Sequence, residues 1–206
     1  MKRPIILSLF IMLFVPFFSM TSEANEAFDC YGLGDMLYGL TKDIGRNDFL
    51  YLARANWLWF LQKKIKSQEN IEDIDKYYVG YGRTIEGVDA SLYHTPLHEA
   101  VGRGNLQIVK LLCSAGADLC KTVKSIKELD SSELAQESYQ VIRLRSSCIL
   151  PISESEINKQ IEHFKKDNNH GLSALELAEY MLENSQDKNS ERQEIMNFLR
   201  IQSKKD

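Results

Sequence analysis

Apolar positions along this chain recur mostly with helical spacing, in blocks separated by polar or glycine-containing stretches. The first block differs, because Pro4 to Phe18 is apolar throughout except at Ser8. Leu33, Met36, Leu37 and Leu40 then mark one face of a helix over residues 28–44, which Gly45 ends. Asp48 is placed to cap a helix over 49–65. That helix is apolar nearly all round, through Leu50, Leu52, Ala53, Trp57, Leu58, Phe60 and Leu61, so it is expected to be buried. Ile71, Ile74, Tyr78 and Val79 predict a further short helix over 71–79, and Gly80, Gly82 and Gly87 a loop over 80–92. Two short helices follow, one with Leu97, Ala100 and Val101, the other with Ile108, Val109, Leu111 and Leu112. Thr95 can cap the first, where Pro96 loses only an amide that had no partner. Leu134, Ala135, Tyr139, Val141, Ile142 and Leu144 predict a helix ahead of Pro151, and Ser153 caps another that carries Ile157, Ile161 and Phe164. The last pair holds Leu175, Leu177 and Ala178, then Ile195, Met196, Phe198 and Leu199, divided by a polar insertion over 183–192. The pattern predicts an all-α fold.

Tyr93 to Leu119 carries more than periodicity. Thr95-Pro96-Leu97-His98 opens it, Ala100 and Val101 form a small apolar pair, Gly104 separates its helices, and Gly116-Ala117-Asp118-Leu119 closes it. The stretch resembles one complete ankyrin repeat, and those residues carry the resemblance. His98 is then expected to reach the hydroxyl or backbone of its own opening turn. Tyr93 stands where the family has a hairpin glycine. A shorter second match starts at Asn168: Gly171 takes the hairpin position, Ser173 and Ala174 stand for Thr and Pro, and Glu176 for the usual His. Thr95 and Ser173 lie 78 residues apart, which is two ankyrin periods of about 33 with some 12 extra. The resemblance therefore implies a short right-handed solenoid of stacked repeats. Its expected organisation is a signal peptide over 1–24, an amino-terminal helical cap over 25–87, and an ankyrin region over 88–206. Within that region a regular repeat spans 90–122, an enlarged divergent repeat 123–167 and a terminal repeat 168–202.

The leader gives a compartment. Lys2 and Arg3 precede the apolar run, and the small residues Ser22 and Ala24 follow it, as in a secretory signal peptide cleaved after Ala24. The run is shorter than the ~20 residues of a spanning helix, so no stable membrane insertion is expected after cleavage. Cleavage would leave 23 basic and 28 acidic residues, a net charge of −5. The whole chain, at −4, gives no basic surface for nucleic acid, and an acidic chain favours a basic or neutral protein partner. An exported chain meets an oxidising compartment, where the four cysteines Cys30, Cys113, Cys120 and Cys148 allow three disulfide pairings. The preferred bridge is Cys120 with Cys148, with Cys30 and Cys113 as the second pair. A buried free thiol at Cys113 stays open beside it.

Chemistry is sparse. His94 and His98 straddle Pro96 at a helix start, so they do not share a face as zinc-binding histidines do, and no metal site is expected. There is no nucleophile elbow, phosphate loop or dinucleotide fingerprint, so no cofactor and no catalytic residue is named. The resemblance implies a non-enzymatic protein-binding module that uses hairpin tips and the first-helix face. The best-defined such positions are Leu92, Tyr93, His94, Glu99, Gly102 and Arg103. Size and compartment fit an immunity-type inhibitor of a toxin or hydrolase in the cell envelope, periplasmic or secreted. A periplasmic accessory factor in peroxide defence, and a hydrolase with carboxylates the sequence does not identify, are the alternatives. Amino-terminal sequencing of the exported protein is expected to start at Asn25, about three residues either way.

Overall fold

The computed structural model describes residues 48–68, 70–82, 84–85, 88–135, 153–184 and 190–204. The leader, the helix expected over 28–44, Cys30, Cys148 and most of the helix expected after Leu134 lie outside these residues. The chain divides into two compact units, residues 1–69 and 70–206.

In the first unit the single helix expected over 49–65 is two helices, α1 (Phe49–Arg54) and α2 (Leu58–Ser67). Asp48 caps α1 as expected, its carboxylate accepting from the Tyr51 amide at 2.6 Å. The break falls at Asn56, whose left-handed φ of 58° is a conformation asparagine tolerates better than most residues. Phe49, Leu52, Ala53 and Leu61 are fully buried, while Trp57 packs against Tyr51 and Phe60 with ring centroids 5.5 and 5.1 Å away. The aromatic density here is core packing.

The second unit begins with a 3-10 turn, Ile71–Asp75, and the helix expected to reach Val79 stops there. Instead Tyr78–Tyr81 forms strand β1. The run Tyr77-Tyr78-Val79 is aromatic and β-branched, a composition that fits a pleated surface better than a helix. The expected loop over 80–92 contains a short hairpin, β2 (Thr84–Ile85) with β3 (Val88–Asp89). Strand β4 (Leu92–His94) then runs antiparallel between β1 and β5 (Lys124–Ser125). Tyr93 pairs with Val79 on one side and Lys124 on the other. Its place as a strand residue explains why no glycine is needed where the family has one. The fold is mostly helical, as expected, with this small sheet added.

Helices α3 (Pro96–Arg103) and α4 (Leu106–Ser114) pack together across Gly104, which takes a left-handed φ of 74°. Asn105 caps α4 by accepting from the Ile108 amide. The terminal helices are α6 (Ala174–Asn184) and α7 (Ser190–Gln202), preceded by α5 (Glu154–Asp167), which Ser153 caps. Helix α6 packs on α3, and α7 packs on α4. First helix meets first helix and second meets second, the arrangement of adjacent repeats.

That contact brings the two helix pairs together with no further helix pair between them among the described residues. The backbone closes a seam at which the Val123 amide donates to the Leu172 carbonyl at 3.0 Å and the Gly171 amide to the Val123 carbonyl at 2.9 Å. Thr122 bridges to Ser173 beside it. The pair α6–α7 therefore sits directly on the pair α3–α4, and the described residues 124–135 and 153–170 between them pack beside the two pairs. The separation of 78 residues is one period of about 33 plus a long excursion.

The excursion packs back on the sheet. Leu134, expected inside a helix, lies in a parallel bridge with Tyr77 and joins a cluster with Tyr77 and Tyr93. Phe164 of α5, with Ile157 and Ile161, covers Ala90, Leu92 and Val123. Replacing Phe164 by Ala is expected to lower the unfolding free energy by about 3 kcal/mol, read by chemical denaturation. Tyr180→Ala, at a position 42% exposed, is expected to stay within about 0.5 kcal/mol.

Candidate partner-binding site

The site grows out of the opening turn of α3. His98 is 2% exposed, and burial pushes its pKa down from 6.5 to about 3, so the ring is neutral. Its Nδ1 lies 2.8 Å from the Thr95 hydroxyl and 3.4 Å from the Thr95 backbone nitrogen, and accepts from both. The proton is therefore on Nε2, which donates to the Leu172 carbonyl at 3.3 Å. The expected local bonds of His98 are present, together with a bond across the seam that spacing alone does not show. The second opening turn is built differently: Glu176 accepts from the Ser173 amide at 2.8 Å and from its hydroxyl at 2.7 Å. Glu176 closes a capping box where the family has a histidine.

One turn away, three polar side chains run from the interior to the surface. His94, 5% exposed, holds Nε2 at 2.8 Å from Glu99 Oε2, and the Arg103 Nε–H donates to Glu99 Oε1 at 2.6 Å. Glu99 is 10% exposed at its side chain and Arg103 52%. The imidazole of His94 lies against Gly80 at the bulge of β1, where a Cβ would come within 2.0 Å of its Nδ1. Only glycine leaves that room. Tyr81 presents its ring to His94 at 6.1 Å and is 47% exposed.

These residues line an open cavity of about 170 Å³ at the seam. The first repeat contributes His94, Glu99, Gly102 and Arg103. The second side contributes Asn168, Asn169, Leu177 and Met181, with Val123 between. Four of the six residues expected to meet a partner are thus brought together here. Leu92 and Tyr93 are not: both are fully buried under the excursion and the sheet, and offer a partner no surface. Tyr81, in a loop by its sequence pattern, and the Asn168-Asn169 turn also line the cavity, and neither is among the six residues expected to meet a partner. Hairpin tips are binding positions in stacked repeats, so that turn did carry a signal.

The other candidates lie elsewhere. Cys113 is half-buried, and burial pushes its thiol up to about 11, whereas Cys120 is exposed. Their expected partners, Cys30 and Cys148, are outside the described residues. His170 stands 2.8 Å from Glu128. Burial would raise the Glu128 carboxyl, but bonds from His170 and Ser125 outweigh it and hold the group at about 2. No group of three His, Cys, Asp or Glu side chains among the described residues is placed to hold a metal ion. No helix among them is long and apolar enough to cross a membrane.

Among known proteins, the family model for the ankyrin repeat matches residues 93–124, from β4 to the first residue of β5. No curated protein and no solved structure matches the chain.

His98 supplies a pH prediction. Its pKa is 6.5 unfolded and about 3 folded, so the unfolded chain binds the proton more readily between those values. Its contribution to stability is complete above pH 6.5 and is lost as pH falls through that window. The unfolding free energy is expected to drop by about 1.4 kcal/mol per pH unit below pH ~6. Urea denaturation from pH 7 downward checks this, and His98→Gln should flatten the slope above pH 4.5, where Glu128 begins to add its own loss.

Proposed function

We propose that this ankyrin-repeat protein is an exported, non-enzymatic interaction module that binds a protein partner at the seam of its two stacked repeats. Ankyrin repeats are typically non-enzymatic interaction modules, and a stack of them offers its first-helix face to partners. The observation that carries the reading is the cavity itself. It opens on that face between α3 and α6, and its rim holds Arg103 and Tyr81, residue types enriched at binding hot spots. The His94–Glu99–Arg103 chain holds the rim in one geometry, which lowers the ordering cost of binding. Lys2, Arg3, the apolar run to Phe18 and Ala24 support the cell envelope as the place of action. There the protein acts as an immunity-type inhibitor, occupying the working surface of a toxin or hydrolase.

The test is capture with residues 25–206 as bait in an envelope extract, beside baits carrying Arg103→Ala or Tyr81→Ala, both exposed positions whose loss leaves the core intact. One protein is expected to be retained by the first bait and weakened at least tenfold on the other two. The purified target should lose its activity on adding one equivalent of the bait protein. Failure of the unaltered bait to retain any protein above background sinks the reading. Retention without inhibition removes the inhibitor role and leaves a binder.

A further inference from the structure

We infer that the seam cavity is an anchor pocket for one apolar side chain of the partner that carries a carboxylate at its edge, the carboxylate being taken end-on by Arg103. This rests on the partner-binding reading and specifies what enters the site.

Size comes first. About 170 Å³ is close to the cavity of roughly 150 Å³ that accommodates a benzene ring, and below the ~300 Å³ at which pockets for cofactors and drug-sized ligands begin. The space takes one leucine- or phenylalanine-sized group. Val123, Leu177 and Met181 supply apolar walls, and the unbranched methionine can adapt to the shape of the guest.

Charge decides the rest. Glu99 is the acidic group in the cavity, and both of its oxygens are engaged, Oε2 by His94 and Oε1 by Arg103. A cationic guest would have to displace one of those partners. Arg103 has spent only its Nε on Glu99. Its Nη1 and Nη2 make no hydrogen bond among the described residues. Those two nitrogens form the flat end of the guanidinium fork, whose parallel N–H groups match the two oxygens of a carboxylate. The Nε bond to Glu99 fixes the plane of the fork before the guest arrives. Asn169, held in a left-handed turn with φ 61°, adds a side-chain amide that has no partner among the described residues. One free guanidinium edge beside a carboxylate suits a single negative charge, and a dianionic phosphate would meet repulsion from Glu99. The net charge of −4 pointed to a basic or neutral partner, yet the local chemistry at this rim selects an acidic group.

The carboxylate can be the free carboxy-terminus of the partner or an Asp or Glu next to the anchoring residue. Three small probes separate these: N-acetyl-leucine, N-acetyl-aspartyl-leucinamide and the neutral N-acetyl-leucinamide. Each is titrated into residues 25–206, and nuclear magnetic resonance follows the Arg103 Nε–H and the Met181 methyl group. One acidic probe is expected to shift both signals and to bind about five- to tenfold more tightly than the neutral amide, an effect of about 1 kcal/mol. The tighter acidic probe identifies the source of the carboxylate. Arg103→Gln, checked for fold by circular dichroism, should abolish the preference while the Met181 shift persists. Equal binding of acid and amide overturns the proposal, and so does a preference that survives Arg103→Gln. Absence of any shift with all three probes overturns it as well. If the probes fail while capture still retains a partner, the anchor pocket falls and the partner-binding reading stands. If capture fails too, both fall.

Discussion

The stack depends on one neutral histidine. His98 joins its own opening turn to a carbonyl 74 positions further along the chain, and it does so with less than a twentieth of its surface exposed. Only the neutral ring offers an acceptor at Nδ1 and a donor at Nε2 together. A protonated ring would set its Nδ1–H against the Thr95 amide donor and bury an uncompensated charge beside His94, which itself works against protonation. Burial keeps His98 neutral, and the Thr95 amide selects the tautomer that bonds both sides of the seam. The seam pairing of Val123 with Leu172 and Gly171 lies next to it, so the two closures support each other.

From that closure follows the position of the site. Because the terminal repeat is drawn directly onto the regular one, α6 faces α3, and the turn at Asn168–Asn169 arrives beside Arg103. Had a full repeat intervened, the walls provided by Leu177 and Met181 would have been one layer further away. The described residues 124–135 and 153–170 do separate work. Their Phe164 and Leu134 close the two clusters beneath β4, which is why Leu92 and Tyr93 are core residues although they stand at the hairpin end of the repeat.

Local chemistry was legible in the sequence, and long-range order was not. Thr95, Pro96, His98 and Gly104 each report a capping or turn requirement set within four residues, and each does in the structure what its type implies. The helix over 154–167 was legible for the same reason, from Ser153 and its apolar spacing. Three things were hidden. Tyr78 and Val79 fit the face of a short helix by spacing, and only pairing with His94 and Tyr93 makes them a strand. Asn56 breaks a helix that periodicity alone would continue. The direct contact of α6 with α3 was hidden as well, because a separation of 78 residues accommodates two periods or one period with an excursion, and spacing does not distinguish the two.

The candidate site shows the same division at the scale of single side chains. Glu99 and Arg103 are four apart on one helix, so their pairing is readable from the sequence. His94 joins them only because Gly80, on a neighbouring strand, leaves space for its ring at a bulge. A chain of polar side chains that begins at the sheet and ends at an exposed guanidinium thus needs a glycine 14 positions upstream of the histidine it accommodates. The glycine reads from sequence as a loop residue, yet it sets where Glu99 points and which edge of Arg103 is left for a guest. Substituting it would move the site by displacing His94, although Gly80 itself does not line the cavity.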